Sequence, residues 1–249
     1  MNTKRLIGLL AVACLLFCVV QVGLLMKCLF GKGEDSGEAG YESKAVYVEG
    51  EEDIVIRKGN EEADCLALTC NVDWGTEVIP RMLKIFKEKQ VKITFFVSGR
   101  WAENNPKLLR EMFVEGHEIQ SHGYGHKLCS KISSEAIKEE IERTENAIYN
   151  VLGVKTHVFA PPSGDYDKRT LDMCREMGYR VSLWSSDTID WREGSGAEII
   201  KKRVLDKPLA GAIVLMHPKE ETVKALPSLI DEIKLQGIGI VPLSQLIGY

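Results

Sequence analysis

The chain has 249 residues, of which 45% are hydrophobic, so it is long enough for one large domain and can bury a sizeable core. That apolar content excludes a wholly disordered chain. The formal net charge of -4 argues against a nucleic-acid-binding protein, which normally carries a basic patch.

The N-terminal segment predicts a membrane anchor. Leu6 to Met26 contains no charged residue and is long enough to cross a bilayer. Lys4 and Arg5 precede it and the chain turns acidic after residue 32, so we expect residues 1–5 in the cytoplasm and the rest of the chain outside the cell. A cleaved signal peptide is the alternative, although its apolar region is usually shorter. The sequence thus favours a single-pass protein of the cell membrane.

Residues 27–43 are rich in glycine and acidic residues, which predicts a flexible linker. The folded domain is therefore expected at residues 44–249. This domain contains four of the seven cysteines of the chain, at positions 65, 70, 129 and 174. No zinc-type spacing is present, so small buried residues are expected, with a disulfide left open.

Two short alternating runs, Ala45–Val48 and Asp53–Arg57, predict a small strand pair at the start of the domain. From residue 65 onward, strand-like runs alternate with helical periodicity. The predicted strands are Cys65–Cys70, Val91–Val97, Glu118–Gln120, His157–Ala160, Arg180–Trp184, Gly211–Met216 and Ile238–Val241. The predicted helices are Ile79–Glu88, Pro106–Glu115, Ser133–Leu152, Lys168–Met177, Ala197–Leu205 and Thr222–Leu235. About seven βα units predict an α/β fold with a parallel sheet, either open or closed as a barrel. No GxGxxG follows a strand, so the dinucleotide fingerprint is absent.

Unusual residues follow the carboxyl ends of five predicted strands, where the active site of a βα barrel lies. They are Asn71 and Asp73, His122 and His126, Pro161 to Gly164, Asp187 to Trp191, and His217. All five groups are therefore candidates for one site.

The two histidines of "SHGYGH" are separated by glycines, which suit a loop rather than a regular helix. With Asp73 they make one carboxylate and two imidazoles, a set typical of a catalytic divalent-metal site. His217 ends an apolar strand, and either Asp190 or Asp187 could bond its ring and leave the other nitrogen as a proton donor.

The ordered motifs "LTCNVDWG", "SHGYGH", "FAPPSG", "SSDTIDW" and "LMH" resemble those of the polysaccharide deacetylases of the NodB-homology type, carbohydrate esterase family 4. The resemblance covers about residues 60 to 249. It implies a distorted (β/α)7 barrel and a substrate that is an N-acetylated polysaccharide, either peptidoglycan or a chitin-like glycan. The roles that it implies are a divalent-metal site at Asp73, His122 and His126, a general acid at His217 oriented by Asp190, and a pocket shaped by Pro161, Trp191 and Leu215. The metal would be zinc, with cobalt or nickel as alternatives.

Two positions depart from the family pattern. The catalytic-base aspartate of the family is replaced by Asn71, an amide without useful basicity, and the arginine that holds this base is replaced by Ala160. Asp165 is a possible substitute base. Three hypotheses follow: a weak or altered deacetylase, a metal- and glycan-binding protein without turnover, and a hydrolase of another amide or ester. The variant motifs also resemble those of sporulation-associated relatives.

Overall fold

The computed structural model describes residues 51–249. The predicted transmembrane segment at residues 6–26, the linker at 27–43 and the predicted strand at 45–48 lie outside the described residues. Within 51–249, no helix combines the length and the apolar character needed to cross a membrane.

A parallel sheet forms the centre of the described region, and its strands pair in the order β1-β6-β5-β4-β3-β2-β8-β7, with β9 added beside the start of β2. The strands are β1 (Val55–Ile56), β2 (Cys65–Val72), β3 (Thr94–Val97), β4 (Glu118–Ser121), β5 (Val158–Phe159), β6 (Arg180–Ser182), β7 (Ser186–Asp187), β8 (Ile213–Met216) and β9 (Gly239–Ile240).

The sheet curls back on itself. Strand β6 lies next to the end strand β1, and β7 is the end strand on the other side, yet only residues 183–185 separate β6 from β7. A bridge between Lys58 and Ala212 joins the chain after β1 to the chain before β8. The predicted α/β class is confirmed, and the parallel, curled sheet fits a (β/α)7 barrel.

Eight α-helices lie within the described residues, and all except the last cover the outer face of this sheet. They are α1 (Ile79–Glu88), α2 (Gly99–Asn104), α3 (Pro106–Val114), α4 (Ser134–Leu152), α5 (Lys168–Glu176), α6 (Ala197–Leu205), α7 (Glu220–Leu235) and α8 (Leu243–Leu246). The buried residues of α1, namely Ile79, Met82, Leu83 and Phe86, follow helical spacing and pack in one cluster with the outward side chains of β2. Ser133 caps α4 by accepting a hydrogen bond from the Ala136 N–H, and Gly153 ends the helix at a φ of 72°.

The inner face of the sheet holds a second, smaller cluster. Because side chains alternate along a strand, Leu66 and Leu68 of β2 face the helices while Ala67 faces inward. The inner cluster comprises Ile56, Ala67, Phe96, Val158, Ala160, Ile213, Leu243 and Leu246. The last two come from α8, whose first N–H donates to the Thr94 hydroxyl at the start of β3 over 2.8 Å. Helix α8 therefore covers the amino ends of the strands, and the polar candidates lie at the opposite end.

Some predicted elements differ from the structure. Strand β1, which lies within the predicted run Asp53–Arg57, pairs in parallel with β6; its predicted partner at residues 45–48 lies outside the described residues, so that pairing stays a prediction. The predicted strand Arg180–Trp184 is shorter in the structure, where β6 ends at Ser182, and the separate strand β7 that follows was not predicted. Helices α2 and α8 were not predicted. In the described region Cys65, Cys70, Cys129 and Cys174 are free thiols, and all except the partly exposed Cys65 are buried.

Candidate active site

The strand register brings the predicted site residues to one end of the sheet. Val72 of β2 pairs with Val97 of β3, which pairs with Ser121 of β4. Asp73 and His122 are the next residues along β2 and β4, so both leave the sheet at the same level. Alternation directs Asn71 and His122 toward the inner face.

His122 is the most deeply buried of the candidates, with 2% of its surface exposed. Its Nδ1–H donates to the carbonyl of Ala160 over 2.7 Å, which fixes the tautomer and leaves Nε2 with its lone pair. Burial, assisted by the nearby His126, lowers the pKa of His122 to about 3. The imidazole is therefore neutral at physiological pH, as a metal ligand must be.

His126 lies against His122, with ring centroids 5.0 Å apart and ring planes at 70°. The backbone of His126 has a φ of 55°, a left-handed conformation that is uncommon for residues other than glycine. The neighbouring glycines give the loop the freedom to place the two rings together, as the sequence indicated.

Glu140 of α4 holds this loop on both sides of His126. Its buried carboxylate accepts a hydrogen bond from the Gly125 N–H over 2.6 Å and forms an ion pair with Lys127 at 3.1 Å. Arg100 of α2 adds a hydrogen bond to the Gly125 carbonyl. These contacts secure a backbone conformation that would otherwise be unfavourable. The sequence analysis did not identify Glu140.

The chemistry of the histidine pair fits a divalent cation, because one ring has a fixed tautomer and the second lies beside it. The predicted third ligand, Asp73, is half-buried. Across residues 51–249, however, no three His, Cys, Asp or Glu side chains are grouped closely enough to hold a metal ion. The structure thus brings two imidazoles together and does not group Asp73 with them, so its role stays a prediction.

Asp190 and His217 form a hydrogen-bonded pair. His217 Nδ1 lies 2.8 Å from Asp190 Oδ1, and the other carboxylate oxygen accepts hydrogen bonds from the His217 N–H and the Thr222 hydroxyl, each over 2.7 Å. Of the two aspartates that sequence left open, Asp190 is the one in contact. Asp187 instead accepts from the Ile189 N–H, and burial raises the pKa of its carboxyl.

The loop before Asp190 is held in a strained conformation. Ile189 has a φ of 49°, which is costly for a β-branched residue. The Arg203 guanidinium of α6 donates to the carbonyls of Thr188 and Ile189 and to the Ser195 hydroxyl, at 3.0, 3.3 and 2.9 Å. The sequence analysis did not identify Arg203, whose position on a helix gives no local signal of this role.

The position that the resemblance assigns to the family's base contains no carboxylate, since residue 71 is an asparagine. Asn71 lies near the carboxyl end of β2 and is 7% exposed, and Ala160 lies directly after β5 and is 6% exposed. Both oxygens of Asp165 bond Ser130, one to its N–H at 2.8 Å and one to its hydroxyl at 2.9 Å. Asp165 therefore ties two loops together, and its suggested role as a substitute base is not supported by these contacts.

The predicted pocket residues have different environments. Pro161 and Leu215 are buried, and Leu215 pairs with Thr69 of β2 and with Asp187 of β7. The Trp191 side chain is 45% exposed. Trp74, which the sequence analysis gave no role, is 42% exposed and has its ring stacked near that of His217.

The sheet is parallel and curled, and a histidine pair and an Asp–His pair lie at the carboxyl ends of its strands. These features place the chain in the class of α/β barrel proteins that have acid–base groups at that end. The chain belongs to the polysaccharide deacetylase family, whose sequence model matches residues 58–182.

Relatives extend this match. The uncharacterized protein YlxY of Bacillus subtilis is 37% identical over 202 residues, which cover 81% of this chain and 63% of YlxY. The peptidoglycan-N-acetylglucosamine deacetylase PgdA of Listeria monocytogenes is 34% identical over 184 residues, covering 74% of this chain and 39% of PgdA. The chain thus matches less than two thirds of the length of either relative.

A solved structure is also similar. It is BA3943 of Bacillus anthracis, described as a pseudoenzyme of the CE4 family, with 33% identity and a TM-score of 0.75 over 77% of this chain and 68% of that one. A mutant of BA3943 described as having restored enzymatic activity matches with the same TM-score and 32% identity, over 77% of this chain and 70% of the mutant chain.

Proposed function

We propose that the chain is an N-deacetylase of a cell-wall or chitin-like polysaccharide, with slow or altered turnover. The observation that carries this proposal is the Asp190–His217 pair, which is complete in geometry. His217 donates through Nδ1 to the carboxylate, so Nε2 is the atom that can give a proton to the leaving amine. Thr222 bonds the second oxygen of Asp190, which keeps the carboxylate in place while the ring gains and loses its proton.

The histidine pair and Asp73 are the residues proposed to hold a divalent ion, with zinc as the first choice. When bound, such an ion supplies Lewis acidity toward the amide carbonyl. The neutral His122 and its fixed tautomer support this assignment.

The slow turnover follows from the missing base. Asn71 cannot accept a proton from the attacking water, and loss of a general base typically costs about 10²- to 10⁴-fold in rate. The second candidate function, glycan binding without turnover, is favoured by this same absence and by the likeness to BA3943.

The predicted membrane anchor at the N-terminus supports a proposed cellular location for the protein. Residues 6–26 are proposed as an uncleaved single-pass anchor, with the barrel outside the cytoplasmic membrane, where it reaches a cell-wall polysaccharide. Relatives named as peptidoglycan deacetylases support such a substrate, and a role in sporulation stays a proposal.

Acetate release tests the proposal. We would incubate the full-length chain, with added zinc or cobalt, with N-acetylglucosamine oligomers and with peptidoglycan. The wild-type chain should release acetate slowly, Asn71→Asp with Ala160→Arg should raise the rate by about 10²-fold or more, and His217→Ala should abolish release in both backgrounds.

The single Ala160→Arg variant serves as the control. It places a cation near the buried His122 without its carboxylate partner, so it should lower stability and give no gain in rate. If the double variant folds and binds metal but releases acetate no faster than the wild type, the account of the missing base is wrong. If the wild type releases none and still binds the glycan, the second candidate function stands.

A further inference from the structure

The loops after β2 and β8 are locked together beside His217. Gly75 has a φ of 78°, and a Cβ atom at this position would lie 2.6 Å from both the Cγ and the carbonyl oxygen of Pro218. Only glycine permits this approach. The contact holds Trp74, which precedes Gly75, close to the residues on either side of Pro218.

The Trp74 ring lies close both to the proposed acid residue and to a cation. Its ring centroid is 6.0 Å from that of His217, with the two planes at 10°, and the Lys219 ammonium lies 5.1 Å from the Trp74 ring centroid. This is the geometry of a cation–π contact. Because 42% of Trp74 is exposed, the indole still offers apolar surface to a ligand.

The charge of Lys219 is not neutralised within the described part of the chain, where this residue forms no ion pair. The two acidic residues that follow it are both engaged elsewhere. Glu220 binds Arg81, and Glu221 binds Lys224. An ammonium held on an aromatic ring next to His217 therefore has no anionic partner in the protein.

We propose that Trp74 and Lys219 form a subsite for an amino-sugar unit that carries a carboxylate, next to the unit whose amide is cleaved. The apolar C–H face of a sugar ring can lie on the exposed indole, and the sugar carboxylate can accept a hydrogen bond from Lys219. A neutral chitin-like chain would use the indole and leave the ammonium unmatched. This inference rests on the proposed function in that a glycan occupies the site.

Binding of two defined tetrasaccharides tests the subsite without requiring turnover. One probe is chitotetraose, and the other alternates N-acetylglucosamine with N-acetylmuramic acid, which carries a carboxylate. Affinities for the full-length chain are measured by titration calorimetry at low and high salt. The variants are Lys219→Gln, Lys219→Arg and Trp74→Ala. Lys224→Gln is the control, since Lys224 is exposed and lies in the first turns of α7, which begins directly after Lys219.

The wild type should bind the acidic tetrasaccharide about fivefold more tightly than chitotetraose, which is the upper end of the effect of an ion pair at a solvent-facing site. High salt should reduce this preference. Lys219→Gln should remove the preference and leave chitotetraose binding unchanged. Lys219→Arg should retain it, and Trp74→Ala should weaken both ligands. Lys224→Gln should change neither affinity.

Equal affinity of the wild type for both probes, no binding of either, or an equal effect of Lys219→Gln on both would overturn the subsite. Circular dichroism checks the fold of Trp74→Ala, and the two Lys219 variants keep the test decisive if that variant is unfolded. Acetate release is measured separately. Charge-dependent binding without acetate would leave the subsite standing and remove the deacetylase proposal, whereas acetate release with no charge preference would do the reverse.

Discussion

Acid should weaken the fold through one buried histidine that lies away from the site. His117 is 3% exposed and packs edge-on against the rings of Phe86 and Phe95, with centroids 5.5 and 5.4 Å away. Its Nδ1 accepts the Ile93 N–H over 3.2 Å, and its Nε2 has no hydrogen-bond partner in residues 51–249. Burial, assisted by the Lys92 cation, lowers the pKa of His117 from 6.5 to about 4.

The size of the effect follows from the two pKa values. Between them the unfolded chain binds a proton that the folded chain does not, so unfolding becomes more favourable as the pH falls. The contribution of the neutral His117 is complete above pH 6.5 and is lost as the pH approaches 4. A pKa difference of about 2.5, that is 6.5 minus about 4, corresponds to roughly 3.4 kcal/mol in full and to about 2 kcal/mol at pH 5.

Denaturant unfolding of the full-length chain at about pH 7.5 and pH 5 measures this loss, with His117→Asn as the comparison. Asparagine keeps an acceptor for the Ile93 N–H and does not titrate, so the wild type should lose about 2 kcal/mol more than the variant over this interval. His157→Asn is the matched control. Its histidine is only half-buried and should account for a smaller part of the pH dependence. Identical pH dependence of the wild type and His117→Asn would refute the reasoning.

Three further predictions concern the residues that support the site. Glu140→Gln should weaken zinc binding about tenfold in calorimetry, because the carboxylate holds the loop on both sides of His126; unchanged affinity would remove Glu140 from that role. Arg203→Met removes hydrogen bonds from the strained loop before Asp190, so it should lower the free energy of unfolding by about 2 kcal/mol and should also lower the rate of acetate release. A loss of stability without a change in that rate would show that the arginine has only a structural role. Gly75→Ala should cost about 2 kcal/mol in thermal unfolding, since it combines a left-handed φ with a steric clash; a normal melting temperature would contradict that contact.

The longer elements could be predicted from sequence because each has a signal within its own residues. Helix α6 was predicted at its observed bounds, and the predicted helix Ser133–Leu152 differs from α4 only by including the cap residue Ser133. Short elements have no such signal. Helix α2 has six residues and begins at a Ser98 cap, which is too little chain to show helical periodicity.

The supports of the site could not be predicted, because their partners are set by tertiary packing. Glu140 falls on the buried face of α4 with Ile137 and Ile141, which sets it apart from the other acidic residues of that helix, but the sequence does not reveal its partners. Arg203 has no comparable local signal. Tertiary packing also decides which of Asp187 and Asp190 bonds the His217 ring, a question that the sequence left open. Both aspartates follow the same predicted strand, Arg180–Trp184. The turn at Ile189, with its positive φ, separates them in the structure, where Asp190 is the one that contacts His217.

The two positions that were expected to depart from the family pattern, Asn71 and Ala160, lie in one part of the site, and a physical argument links them. Ala160 follows β5, and its carbonyl already binds His122, a ring that must stay neutral to serve as a ligand. A guanidinium at position 160 without a carboxylate at position 71 would place an uncompensated cation in this buried region. The loops of the histidine pair and of the Asp190–His217 pair are held by α4 and α6, and His122 contacts the backbone of Ala160, so neither pair depends on the side chains at positions 71 and 160. On the proposed assignment, exchange of an aspartate and an arginine together at these two positions would remove the proton acceptor and leave in place the groups proposed to bind a ligand and to donate a proton.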